Sequence, residues 1–183
     1  MNKQLFFELY RTHLDKDKKL TQDEVNGIDE FLNLVIKHKD YFTIPQWAYV
    51  FATVFHETFF TFKPVVEAFW LSEDWRKKNL RYYPWHGRGY VQETWEENYK
   101  KQEIRTGVQF TKNPDLALVP KYAFDNMIYG MKHGTYTGRR LDKYINEKIK
   151  SYIYARYVIN GKDKREVIAG YAKTFEQILL KTL

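Results

Sequence analysis

The chain has 183 residues, enough for one domain, with 30 Lys and Arg against 23 Asp and Glu, a formal net charge of +7. It has no cysteine, which excludes disulfides and thiolate metal sites, and no run approaching the roughly 18–20 apolar residues of a membrane-spanning helix. Aromatic residues reach 18%, with 15 Tyr, 13 Phe and 5 Trp, rings that suit a groove for sugars or bases as well as a core.

The segment Met1 to Glu8 lacks the apolar stretch of a signal peptide, so the expectation is synthesis in the cytoplasm, with any outside role depending on release by another agent. The cations are scattered. Their densest cluster, Lys16 to Lys19, is interrupted by Asp17 and reads as a solvated turn. A positive surface attracts nucleic acid, anionic lipid or an acidic cell wall, and charge alone does not choose among them.

Thr21-Gln22-Asp23-Glu24 is a capping box, with Val25, Ile28, Leu32 and Val35 following at helical spacing. A second helix starts near Pro45, with an apolar face of Trp47, Val50, Phe51, Val54 and Phe55. From about 59 to 93 the pattern breaks into short aromatic-rich pieces. Tyr82 to Gln92 reads as a turn and a short strand, in which Tyr90, Gln92 and Thr94 would share one side. Thr94 to Glu97 reads as another capping box, and Asn113-Pro114-Asp115 as a loop. A helix from about Pro120 to His133 stops at Gly134. Asp163 to Glu166 should cap a last helix with a stripe of Ile168, Tyr171, Phe175 and Ile178. The expected fold is mainly α, one domain over 1–183, with a small β element near the middle.

Glu57 extends the apolar face of the second helix. A carboxyl there would lose hydration and shift upward in pKa, as a general acid requires, unless it reaches solvent at a frayed helix end. Glu67 lies ten positions on, across an irregular segment that leaves room to turn back; Glu73 competes with it. Two carboxyls facing across a cleft are the minimum machinery for glycoside hydrolysis. Thr94 and Asn98, one helical turn apart, could hold a water, and Thr94 could equally be an ordinary cap. Trp85 would stack on a sugar ring or serve the core. His56, His86 and His133 show no metal-ligand spacing, so neither metal nor cofactor is expected.

His56-Glu57-Thr58, Gly87-Arg88-Gly89-Tyr90-Val91-Gln92 and Asn98-Tyr99 together resemble the plant-type chitinases, glycoside hydrolase family nineteen, and their phage and bacterial endolysin branch. Asn113 to Ala117, Gly130 to Gly134 and Ala155 to Gly161 extend the resemblance over about residue 6 to the end. It implies a lysozyme-like fold and inverting cleavage of β-1,4 bonds between N-acetylated amino sugars. By that match Glu57 is the acid, Glu67 the base, Thr94 and Asn98 hold the water, and His56, Tyr90, Gln92 and Asn160 line the substrate cleft. Glu93 departs from the family, which favours an apolar residue there. The strand alternation turns it to a partly solvated rear face, and its entry into the cleft would put the base assignment in doubt. Compactness, the missing cysteines, a closer likeness to the endolysin branch and the positive charge favour bacterial peptidoglycan over chitin, cut by a monomer. The rivals are a chitinase, a basic nucleic-acid-binding helical module and a catalytically silent wall-binding homologue.

Overall fold

The computed structural model describes residues 1–15 and 19–183. The Lys16–Lys19 turn therefore lies outside the described residues except for Lys19, which is exposed. Among the described residues the protein is mainly helical, with one two-stranded antiparallel sheet, the expected lysozyme-like class.

Helix α1 (Lys3–His13) starts at Asn2, whose side chain accepts from the Leu5 N–H. It buries only Phe6 and Tyr10, too sparse a pattern to announce a helix in the sequence. Helix α2 (Gln22–Lys37) carries both halves of the expected capping box. The Glu24 N–H donates to Thr21 Oγ1 at 3.2 Å, and the Thr21 N–H to Glu24 Oε2 at 2.8 Å.

Helix α3 (Ile44–Glu57) differs instructively from its reading. One apolar face was expected, but every residue from Trp47 to Phe55 is buried. A helix apolar all round belongs inside a core. Phe31 of α2 meets Phe51 edge-on at 5.1 Å on one flank, and α8 (Arg165–Thr182) packs along another. The expected stripe on α8 is present, with Ile168, Phe175 and Ile178 buried and Tyr171 partly so.

After α3 the chain forms a small arm. Strand β1 (Val65–Val66) pairs antiparallel with β2 (Arg88–Gly89), matching Val65 to Gly89 and Val66 to Arg88. Between them lies α4 (Glu73–Asn79), a helix that periodicity could not reveal because its one buried residue is an arginine. The Arg76 guanidinium holds the carbonyls of Ala68 and Leu71 at 3.0 and 2.8 Å.

The strand expected to continue through Gln92 instead turns back. Arg88 and Glu93 exchange backbone hydrogen bonds of 3.1 and 2.9 Å, with Gly89 at φ 87° and Gln92 at φ 56° in the loop between them. Helix α5 (Glu96–Thr106) then starts from Trp95, so the capping box read at Thr94 does not form. The Thr94 hydroxyl donates to the Gln92 carbonyl at 2.8 Å, while Glu97 pairs with Lys101. The Asn113 loop leads into a 3₁₀ turn, Pro114–Leu118. Helix α6 (Pro120–His133) ends at left-handed Gly134 as read. The short α7 (Tyr152–Ala155) precedes α8, which Asp163 does not cap; Lys164 occupies that position with no side-chain cap bond.

Candidate active site

The C-terminal end of α3 and the Ile159–Asn160 turn face the β arm and its hairpin across a cleft of about 410 Å³. Glu57, Glu67, Gln92, Thr94, Asn98 and Asn160 all border it, although they come from four separate stretches of chain. A second, more apolar arm of about 300 Å³ holds His56, Phe59, Phe60, Val66, Ala68 and Trp70. Glu57, Glu67 and Gln92 border both arms and so stand at the junction. A larger surface cavity of about 640 Å³ beside Lys39 to Gln46 contains none of the expected residues.

Glu57 was expected alone on an apolar face. It is instead ion-paired: Arg156 Nη1 donates to its Oε1 at 2.6 Å, and the Arg156 side chain is only 2% exposed. Arg156 Nε also donates to the Asp163 carbonyl at 3.1 Å, fixing the guanidinium from both ends. The neighbouring His56 imidazole is pushed below its ordinary pKa by burial, against the opposing pull of Glu57. Thr58, the third member of the motif, is structural. Its hydroxyl donates to the Val54 carbonyl at 2.7 Å and accepts from the Phe62 N–H at 3.0 Å.

Glu67 is held differently. Tyr82 donates to Oε1 at 2.7 Å and the Gly87 N–H to Oε2 at 2.8 Å, while the Glu67 N–H donates to the Gly87 carbonyl at 2.7 Å. Burial and the bond to Glu67 push the Tyr82 hydroxyl up to about 12, so it remains a donor at neutral pH. The two glycines have separate reasons. A Cβ on Gly87 would stand 2.8 Å from Gln92 Oε1 and 3.2 Å from Glu67 Oε2, whereas Gly89 needs its positive φ. Glu73, the competing base, is absent from both arms of the cleft; its side chain is 56% exposed and paired with Arg76.

Thr94 and Asn98 remain neighbours without a capping box. Asn98 Nδ2 donates to the Thr94 carbonyl at 2.8 Å, which leaves Oδ1 and the Thr94 hydroxyl oxygen as acceptors for a water. Gln92 Nε2 is fastened to the Val65 carbonyl at 3.0 Å, tying the hairpin to β1.

Three expectations need correction. Tyr90 does not line the cleft: it is 1% exposed and packs edge-on against Phe31 at 5.3 Å, because the hairpin turn directs it into the core. Trp85 leans on a small second core of Tyr99, Phe110 and Ala117, and its indole N–H is buried, so it is a packing residue. Glu93 is not on a solvated rear face. It is 4% exposed and forms part of the lining of the same cleft, beside Gln92 and Thr94, the placement that puts the assignment of Glu67 as base in doubt. Its Oε1 is unpartnered among the described residues and its Oε2 is reached only by Asn126 Nδ2 at 3.3 Å. Burial pushes its pKa up to about 7, against the opposing pull of the neighbouring Gln102 and Asn126 amides and the charge of Arg105.

Arg156 and Tyr82 are the residues that sequence reasoning left without a role. Arg156 stands alone among apolar neighbours from Ile153 to Ile159, and a lone cation in such company is the signal of a buried partner. Tyr82 carried no signal beyond an aromatic-rich stretch. Among the described residues no group of three His, Cys, Asp or Glu is placed to hold a metal. The arrangement presents two oriented carboxyls, acceptors for a water and a groove that crosses them. No family model matches the chain, and no curated protein or solved structure matches it.

Proposed function

We propose that the chain is a glycoside hydrolase that cuts β-1,4 bonds between N-acetylated amino sugars of peptidoglycan, in the manner of an endolysin. The observation that carries this reading is the convergence of Glu57 and Glu67, from separate walls, on the same cleft beside Thr94 and Asn98. Glu57 protonates the leaving oxygen. Glu67, oriented by Tyr82 and Gly87, draws a proton from a water held by Thr94 and Asn98. That water attacks the anomeric carbon from the opposite face, so the configuration inverts. Inverting enzymes hold their carboxyls roughly 6.5–9.5 Å apart to admit such a water. The enzyme acts on the bacterial wall after release, as a monomer and without a cofactor. Among the described residues no helix is long and apolar enough to cross a membrane.

The Arg156 ion pair favours a second reading, in which the roles of the two glutamates are exchanged, because a cation at 2.6 Å suits an anionic base better than a resting acid. Aryl glycosides with good leaving groups separate the two. They need little protonation, so the variant lacking the acid keeps its rate on them and the variant lacking the base does not.

Incubation with purified sacculi and mass spectrometry of the products tests the main reading. Reducing-end muropeptides support it. Free peptides, or soluble fragments only from chitin, would sink it. NMR of fresh product should show the α-anomer first; the β-anomer first would remove the water-holding role of Thr94 and Asn98.

A further inference from the structure

The cations are scattered along the chain, but their excess is not. Residues 132–165 hold ten Lys and Arg and three Asp and Glu, an excess of seven that equals the net charge of the whole chain. The rest of the chain carries 20 of each sign. Lys150, Arg156 and Arg165 are neutralised by Glu176, Glu57 and Glu166, and Arg140 by Asp142. Arg139, Lys143, Lys148, Lys162 and Lys164 have no carboxylate partner among the described residues.

The fold gathers this segment into a shoulder beside the cleft. The Arg139 guanidinium lies 4.9 Å from the centre of the Tyr157 ring and donates to the Tyr144 hydroxyl at 3.1 Å. Tyr154 stacks on Tyr157, with centroids 6.4 Å apart and planes 10° from parallel. The Thr137 hydroxyl holds the Tyr157 and Val158 carbonyls at 2.7 and 3.1 Å. The next two residues, Ile159 and Asn160, line the cleft itself. The bond from Arg156 to the Asp163 carbonyl then draws the 161–164 loop back toward α3, close enough for the Lys164 charge to act on His56. Unpaired charge therefore flanks Asn160, with Arg139 against Tyr157 on one side and Lys162 and Lys164 on the other. Lys143 and Lys148 continue the strip toward the far end of α3, where Gln46 Nε2 donates to the Ile145 carbonyl at 2.8 Å.

We propose that this shoulder binds the carboxylates of peptide side chains carried by the glycan strand, so that the polymer lies across the lysines while one of its links occupies the cleft. The identity of the polymer rests on the glycosidase reading; the anion-binding surface does not. Charge of one sign concentrated on a rim focuses an anionic polymer from solution. Continuity with the cleft favours the strand that the cleft accepts. The rings argue against nucleic acid, since Tyr144 is buried and Tyr157 half-buried, leaving Tyr154 as the one tyrosine of the cluster open to base stacking.

The test is sedimentation with purified sacculi at low and moderate salt, using full-length protein that carries Glu57→Gln in every arm so that no glycan is consumed. K143Q/K148Q/K162Q/K164Q should weaken binding at low salt at least tenfold and remove most of its salt dependence. A charge-matched set on exposed sites elsewhere, K77Q/K78Q/K100Q/K112Q, should keep binding within twofold. Sacculi whose carboxyls have been amidated should bind the unsubstituted shoulder as weakly as native sacculi bind the shoulder variant. Equal losses from both sets, no loss from the first, indifference to amidation, or tighter binding of duplex DNA through the same lysines would overturn the proposal. If the shoulder passes while the wild-type chain releases no muropeptides, the anion-binding surface stands and the glycosidase reading falls.

Discussion

The two walls of the cleft hold the same chemical group by opposite means. Glu57 ends a helix that the core encloses on every side, and its carboxyl is steered by one buried guanidinium 99 residues away in sequence. Glu67 sits on an arm with two short strands, and its carboxyl is steered by a nearby backbone N–H and a phenol. The helical wall has a rigid backbone and a charged tether. The β wall has only two paired strands of two residues each and gains orientation from directional hydrogen bonds. A side chain that must be placed accurately needs one or the other.

Glu57→Gln tests the helical wall hardest. Activity on sacculi should fall at least about a hundredfold, the usual worth of general acid catalysis. The substitution also leaves the buried Arg156 without its anion, so unfolding measurements should show a loss of about 1–3 kcal/mol. Retention of more than about a tenth of the activity would remove Glu57 from the chemistry.

Glu93, buried in the lining of the same cleft, contrasts with both. Its pKa is about 7 folded and near 4.5 unfolded, so between those values the folded state holds a proton that the unfolded chain releases. Stability is therefore fully present below about pH 4.5, falls as pH rises toward 7, and levels off above it. The total loss is about 3 kcal/mol, taking 1.36 kcal/mol per pKa unit. Glu93→Gln should flatten this slope in denaturant titrations across pH 4.5–8. An unchanged slope would mean that the carboxyl finds a charged partner or water.

On the β wall, Gly87→Ala should lower activity about tenfold and stability by about 1–3 kcal/mol, because the new methyl group presses on Gln92 and Glu67. Tyr82→Phe removes one hydrogen bond to Glu67 and should lower turnover about fivefold, the equivalent of roughly 1 kcal/mol. If both leave turnover intact while Glu57→Gln abolishes it, the orientation of Glu67 is irrelevant and the two walls are not partners.

Much of the helical wall was legible because its signals are local. Thr21 with Glu24, Pro45, and Gly134 each fix a helix end through atoms within one turn. The β wall was less so. Gln92 and Trp95 adopt positive φ, which their residue types do not announce, and those two angles undo both the strand alternation and the Thr94 cap. The same turn sends Tyr90 inward. The Arg156 pairing and the burial of Glu93 depend on segments far apart in sequence, so no window along the chain contains them.

The 99-residue separation of Glu57 and Arg156 also sets an order of assembly. A chain is made from its N-terminus, and α3 emerges long before the partner of its terminal carboxyl. Until Arg156 and α8 follow, α3 lacks both its counter-ion and one of its main packing surfaces. The closing bond from the Asn2 N–H to the Thr182 carbonyl, at 2.7 Å, joins the first helix to the last turn. A nascent fragment thus carries every residue of the β wall and Glu57 itself, yet lacks the cleft. The site is completed only when Arg156 and α8 dock.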